Sequence, residues 1–256
     1  MARIKGALSA ALALALLLGP AGSASSTPSV LSTASMRRYW APVISNGRTF
    51  PVLLSVDGRW LNWRNTYGAP RMRLIRGTWK QVGIHEGVDI YSERSTPVVA
   101  MTAGTVENIG WTFYSGYRVG VRGSDGNYYF YAHMLPDFAP GIVMGAAVQP
   151  GRRLGYLGSS GYGSEPTMDE FPAHLHFGLQ VGKRWVDSNE TLEALFAASV
   201  ANINSARSER LALDNLASAI ASRFGGPASP PFEVLQAGLA RVVDHGALID
   251  QKSLLG

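Results

Sequence analysis

Four of the five histidines in this 256-residue chain fall in three short contexts whose residue types and spacing suit metal-assisted chemistry. The first is Gly83-Ile84-His85-Glu86-Gly87-Val88-Asp89-Ile90. In an extended chain alternate residues share a face, so His85, Gly87 and Asp89 point one way and Ile84, Val88 and Ile90 point to the apolar side. A straight strand would hold the His85 and Asp89 Cα atoms roughly 13 Å apart, too far for two short side chains to share an ion. The chain must therefore bend or bulge, which Gly87 permits. The second context, His174-Leu175-His176-Phe177-Gly178-Leu179, puts His174, His176 and Gly178 on one face and the three apolar side chains on the other. Of two imidazoles so placed, one can bind an ion while the other reaches the water on it. The third is Tyr131-Ala132-His133-Met134. Taken singly, His133 reads as readily as a hydrogen-bonded structural residue, and a His four residues before an Asp says little. The combination carries the weight. His245, beside Gly246, reads as a helix C-terminal residue.

Strand signals are densest from Val82 to Asp187. Thr96 to Ala100 leads through Ala103-Gly104 into Thr105-Val106, and Tyr117 to Arg122 and Asn127 to Ala132 form a hairpin around Gly123-Ser124-Asp125-Gly126. Val148-Gln149-Pro150-Gly151 is a further turn before Leu154 to Gly158. Upstream, Arg38 to Lys80 is aromatic and basic, with short strands separated by turns at Asp57-Gly58 and Gly68-Ala69-Pro70. The expected architecture is mainly β, a largely antiparallel sheet with tight connections. After Asn189 the period changes. Leu192, Leu195, Phe196, Val200 and Ile203 recur at helical spacing, as do Leu213, Leu216, Ile220 and Phe224. Gly225-Gly226-Pro227 is a stop, and Pro230-Pro231 starts another segment carrying Leu235, Leu239 and Val242, so the tail reads as two or three amphipathic helices.

Arg3 and Lys5, the apolar run Ala7 to Leu18, the Gly19-Pro20 break and the small residues Ala21 to Ala24 have the form of a secretory signal peptide. About a dozen apolar residues fall short of the ~20 that a membrane span needs, so no stable anchor is expected once it is cleaved. Residues 25–37 read as a flexible Ser/Thr/Ala/Pro leader, 38–190 as the domain that carries the three histidine contexts and 191–256 as a helical extension. Cysteine is absent, so neither disulfides nor a lipidated cysteine are available to an exported chain. Arg3 and Lys5 supply two of the formal +5 charges. What remains is a mild bias towards anionic surfaces, far from a nucleic-acid footprint.

The ordered set of motifs resembles the lysostaphin-type zinc endopeptidases, also called LytM-domain proteins. Their G-x-H-x-G-x-D is matched by Gly83 to Asp89, their T-P-V-x-A by Thr96 to Ala100, their Y-x-H by Tyr131-Ala132-His133 and their H-L-H-F by His174 to Phe177. Gly151 to Gly161 is similar to the family's glycine-spaced stretch, and Asn65 to Arg71 to a lead-in found in many members. The resemblance covers roughly half the chain. Gly178 stands where many members have Glu, Ser95 where Gly is usual, and Tyr162 to Phe171 is longer and more acidic than a minimal loop and would border the groove. A tyrosine that assists catalysis in some members has no counterpart in Arg76 to Lys80.

The resemblance implies a twisted antiparallel β-sheet domain of the LytM type, related to the duplicated hybrid motif, with zinc in a surface groove. It assigns the zinc ligands to His85, Asp89 and His176, and the catalytic roles to His133 and His174 without dividing them. Three ligands leave zinc's fourth position to water, as in catalytic sites, and a centre of about +1 can acidify that water and polarise a carbonyl. The implied function is hydrolysis of peptide stems or cross-bridges in bacterial peptidoglycan by an exported enzyme, periplasmic or extracellular. The alternative is a non-catalytic relative that binds wall or activates an amidase; such relatives lose ligands, and here all five positions are filled.

Overall fold

The computed structural model describes residues 39–56, 61–224 and 248–249. The expected signal peptide and leader, the Asp57-Gly58 turn, the segment from Pro230 and His245 lie outside them. In chain order the elements are β1 (Tyr39–Trp40), β2 (Asn62–Trp63), β3 (Pro70–Ile75), β4 (Thr78–Ile84), β5 (Val88–Tyr91), β6 (Pro97–Val99), β7 (Gly104–Thr112), β8 (Gly116–Gly123), β9 (Tyr128–Met134), β10 (Ala147–Val148), β11 (Arg153–Tyr156), β12 (His174–Val181), β13 (Arg184–Val186), α1 (Asn189–Phe224) and β14 (Leu248–Ile249). The main sheet has eight strands, running β10-β7-β8-β9-β12-β5-β2 with β13 also on β12. Every pairing in it is antiparallel. The expected hairpin is β8 and β9, turning at Gly123 to Gly126.

The alternation read from the sequence decides which face is buried. Leu175, Phe177 and Leu179 on β12, Val88 and Ile90 on β5, and Tyr129 and Tyr131 on β9 belong to one core cluster. Val98, Leu154 and Leu157 join it from the β6–β11 side. The histidine-bearing face of β12 is left over for the site. Within the core the Met101 amide donates to the Tyr131 hydroxyl at 2.8 Å, which satisfies a polar atom that burial would otherwise penalise.

Both apolar sets of the tail that the described residues include lie on one helix of 36 residues. Between Ile203 and Leu213 there is neither Gly nor Pro, so nothing interrupts the backbone ladder, and the helix ends at Phe224, just before Gly225. Its first turns bury Leu192 and Leu195 in the same core, with Phe196 5.3 Å from Phe50, ring centroid to ring centroid. Ile84, read as a core residue with Val88 and Ile90, is exposed. The extended run breaks at residues 85–87, and Ile84 belongs instead to β3–β4, a ribbon hydrogen-bonded only to itself among the described residues.

Phe177 is fully buried between Tyr129 and Tyr131. Phe177→Ala should lower the unfolding free energy by roughly 3–5 kcal/mol in chemical denaturation. A loss below about 1 kcal/mol would show that this face of β12 does not carry the core.

Candidate metal centre

Three strands far apart in sequence become neighbours because β12 lies between β5 and β9. In the register His176 stands opposite Asp89 on one side and Ala132 on the other, and His174 stands opposite Tyr91. His85 arrives from outside the sheet. Its amide donates to the Ala69 carbonyl (2.8 Å) and its carbonyl accepts from the Gly68 amide (2.9 Å), so the Asn65-to-Arg71 lead-in clamps it in place. Thr66 acts twice: its carbonyl accepts from His85 Nδ1 (2.9 Å) and its hydroxyl accepts from the Asp89 amide (3.0 Å).

The result is a tight triangle. His85 Nε2 lies 2.8 Å from His176 Nδ1, and each lies 3.1 Å from Asp89 Oδ1. Because His85 Nδ1 donates to a carbonyl, the neutral ring presents a bare lone pair at Nε2. That lone pair faces a carboxylate oxygen and a second ring nitrogen in a buried place, a donor set that suits a cation. A tetrahedral ion about 2.0–2.2 Å from each atom would space them about 3.3–3.6 Å apart, a few tenths of an ångström wider than here. His85, Asp89 and His176 therefore could hold a single ion. Burial works to raise the Asp89 pKa, but the imidazoles of His176 and His85 against it and the charges of His176 and His174 override it and hold the carboxyl well below its usual range. Burial pushes His176 down despite the carboxylate beside it.

Gly87 sits at the bend expected of it and has a further task. A Cβ there would lie 2.5 Å from His176 Cε1 and 2.6 Å from the Phe177 carbonyl oxygen. The glycine lets the bend press against the β12 backbone, which brings His85 and Asp89 together.

His133 reaches the site through a bulge. Tyr117 pairs with Met134 and Val119 with Tyr131, so Arg118 alone opposes Ala132 and His133. His133 takes a left-handed φ of 61°, and alternation resets across it. Met134 turns into the core, and the His133 ring comes 4.8 Å from that of His174 and 6.0 Å from that of His176. His133 Nδ1 donates to the Ser160 carbonyl (2.7 Å) and His174 Nδ1 to the Pro172 carbonyl (2.9 Å), so both rings keep a bare Nε2. His174 Nε2 lies 3.7 Å from Asp89 Oδ1. Burial, then the neighbouring His174, pushes His133 down from 6.5 to about 3. Burial also lowers His174.

All five residues singled out in the sequence thus converge. Four partners carried no signal of their own. Thr66 and Ser160 fix imidazole tautomers, while Tyr162 stacks over His133 at 6.0 Å and Phe171 packs 4.8 Å from His133 and 5.1 Å from His174. Only the resemblance of their surrounding stretches to the family pointed towards them.

An antiparallel sheet with two imidazoles, a carboxylate and two further histidines on one face defines a β-sheet protein with a candidate single-ion centre. Residues 83–188 match Peptidase family M23. An L-Ala–D-Glu endopeptidase from Bacillus subtilis (strain 168) is 45% identical over 130 residues, 51% of this chain and 37% of that protein. Lysostaphin from Staphylococcus staphylolyticus is 33% identical over 129 residues, 49% of this chain and 24% of that protein. The chain thus spans well under half the length of these relatives. Among solved structures, the catalytic domain of lysostaphin from Staphylococcus simulans is 28% identical, with a TM-score of 0.41, over 52% of this chain and 92% of that one.

Two outcomes are expected. Gly87→Ala should displace His176 and weaken metal affinity by at least tenfold in a competition titration, while an equal affinity would contradict the close contact. The second concerns pH. The unfolded imidazole of residue 133 takes a proton below about 6.5, the folded one only near 3. The unfolded state thus binds more protons in that window, and stability falls as pH drops through it. Thermal melts in chelator should show the decline, and His133→Gln should flatten part of it. An unchanged slope in the variant would assign the decline to other groups.

Proposed function

We propose that this chain is an exported zinc metalloendopeptidase that hydrolyses peptide stems or cross-bridges of bacterial peptidoglycan. The observation that carries the reading is the triangle of His85 Nε2, Asp89 Oδ1 and His176 Nδ1, with edges of 2.8–3.1 Å, beside two more imidazoles that present bare nitrogens. Two nitrogens and one oxygen suit zinc, and the Thr66 carbonyl behind His85 is the kind of outer partner that orients a ligating imidazole. His85, Asp89 and His176 would hold the ion, which when bound supplies Lewis acidity towards a peptide carbonyl and acidifies a water. The printed names of the relatives, an L-Ala–D-Glu endopeptidase and lysostaphin, support a wall-peptide substrate. The signal-like N-terminus supports export.

The remaining steps belong to the protein. His133 or His174, held neutral by burial, takes the attacking water's proton at Nε2 while its Nδ1–H goes on donating to a backbone carbonyl. Once protonated, that Nε2 becomes a donor, able to stabilise the oxyanion or return the proton to the leaving amine. The Tyr162 and Phe171 rings keep water from the far side of the pair.

The metal content of purified protein and the release of new amino groups from cell wall test this reading. His85→Ala, Asp89→Ala and His176→Ala should lose both zinc and activity. His133→Ala and His174→Ala should keep zinc and lose about 10²–10⁴ in kcat. Zinc lost from either of the last two would mean the ligands are misassigned, and a zinc-loaded chain that releases no amino groups would favour a wall-binding relative.

A further inference from the structure

The β3–β4 ribbon projects from the rim of the site and ends at Ile84, next to His85. Cross-strand partners share a face. Leu74 pairs with Trp79 and Met72 with Gln81 on one side, while Arg73 pairs with Lys80 on the other, with Ile75 and Thr78 at the tip and a register shift between Arg71 and Met72. Arg71, opposite Gly83, sits at the base of the ribbon, two residues after Ala69, whose carbonyl holds the His85 amide. Its charge reaches both His174 and Tyr91. Arg64 approaches from the sheet edge: it follows Trp63, whose partner is Ile90, and so comes level with Asp89, and its charge also reaches Tyr91. Tyr91 stands opposite His174, ring centroids 5.0 Å apart, with 38% of its surface open. Its phenol carries an O–H that can donate.

These cations are not consumed by the fold. Neither Arg64 nor Arg71 has an acidic partner among the described residues. Asp187, on the same edge, is already engaged, its two oxygens accepting from Asn65 Nδ2 and the Asn189 amide. Two uncompensated guanidinium groups and a phenol beside the reactive histidines have the chemistry of carboxylate recognition. Resting on the peptidase reading above, we propose that Arg71, Arg64 and the Tyr91 hydroxyl form an anion subsite on the ribbon side of His174, which takes a carboxylate of the peptide substrate within one or two residues of the bond that is cut. Arg73 and Lys80 carry positive charge outward along the ribbon and steer acidic chains towards it.

The test uses the full zinc-loaded chain and matched wall peptides in which the acidic residue beside the scissile bond is either a free carboxylate or its amide. The wild-type chain should prefer the carboxylate by about tenfold in kcat/KM, mostly through KM, and roughly 1 M salt should narrow the gap. In the Arg64→Gln/Arg71→Gln double variant the ratio should fall to within about twofold of one, whereas Arg71→Lys should keep most of it. Equal cleavage of the two peptides by the wild type, or an unchanged ratio in the double variant, overturns the proposal. So does an unchanged ratio accompanied by weaker binding to whole wall, which would assign the cations to an anionic wall polymer. Failure to cleave either peptide counts against the peptidase reading instead. In that event equilibrium binding of both peptides to the same chain reads the subsite directly, and equal affinities overturn it.

Discussion

The bare Nε2 of His85, a carboxylate oxygen and a second imidazole nitrogen meet within 3.1 Å of one another in a buried place, and the surrounding structure exists to hold that arrangement. Such a set suits a cation, and the backbone over-determines it. The determination is visible on every side. β5 and β12 fix Asp89 against His176 by register, Thr66 fixes both the His85 ring and the Asp89 amide, and Gly87 lets the two strands approach. The apolar residues alternating with these polar ones supply the driving force. Val88, Ile90, Leu175 and Phe177 are buried directly behind the ligand face, so the core and the site are two sides of the same strands.

The second pair of histidines is placed by different means. His174 follows from alternation, two residues before His176 on the same face. His133 needs a break in alternation, because counting from Tyr131 in a regular strand would bury it where Met134 now sits. One residue of β8 opposing two of β9 supplies the break, and the Ser160 carbonyl holds the displaced ring. The two bare Nε2 atoms are thus prepared by backbone acceptors, an arrangement that would remove a reorganisation cost from the proposed proton transfer.

This division explains what the sequence made legible. The His174–His176 face follows from residue type and a two-residue period, which survive in a single strand's pattern, whereas the choice of His85, Asp89 and His176 as candidate ligands comes from the family resemblance. The β-sheet class and the β8–β9 hairpin follow from Gly-rich turns between β-prone runs. The His133 bulge is a property of the pairing between two strands, and no pattern within Tyr131 to Met134 encodes it. Ile84 was misplaced for a related reason: its alternation with Val88 holds only if the strand continues, and the bend at residues 85–87 ends it. The helical period read after Asn189 is that of the helix, whose apolar face fades after Ile203, where Leu211 and Leu216 are exposed, although the backbone runs on unbroken. Thr66, Ser160 and Tyr91 have residue types too common to carry a signal by themselves.

The two flanks of the site are chemically unlike, and that difference bears on how an extended chain would lie across it. On one flank Phe171 and Tyr162 pack over His133, and Tyr114 continues the row at 6.0 Å from Tyr162, so the wall is aromatic. Burial of His133 is what lowers its proton affinity. On the other flank Tyr91 packs 5.0 Å from His174, and the sheet edge and the ribbon carry exposed arginines, Arg64 and Arg71. A base must be neutral before it acts and cationic afterwards. The aromatic flank favours the first condition at His133, while Asp89, 3.7 Å from His174 Nε2, favours the second at His174. Equal histidines in sequence therefore become unequal in the fold, and the flank against which each one lies sets the difference.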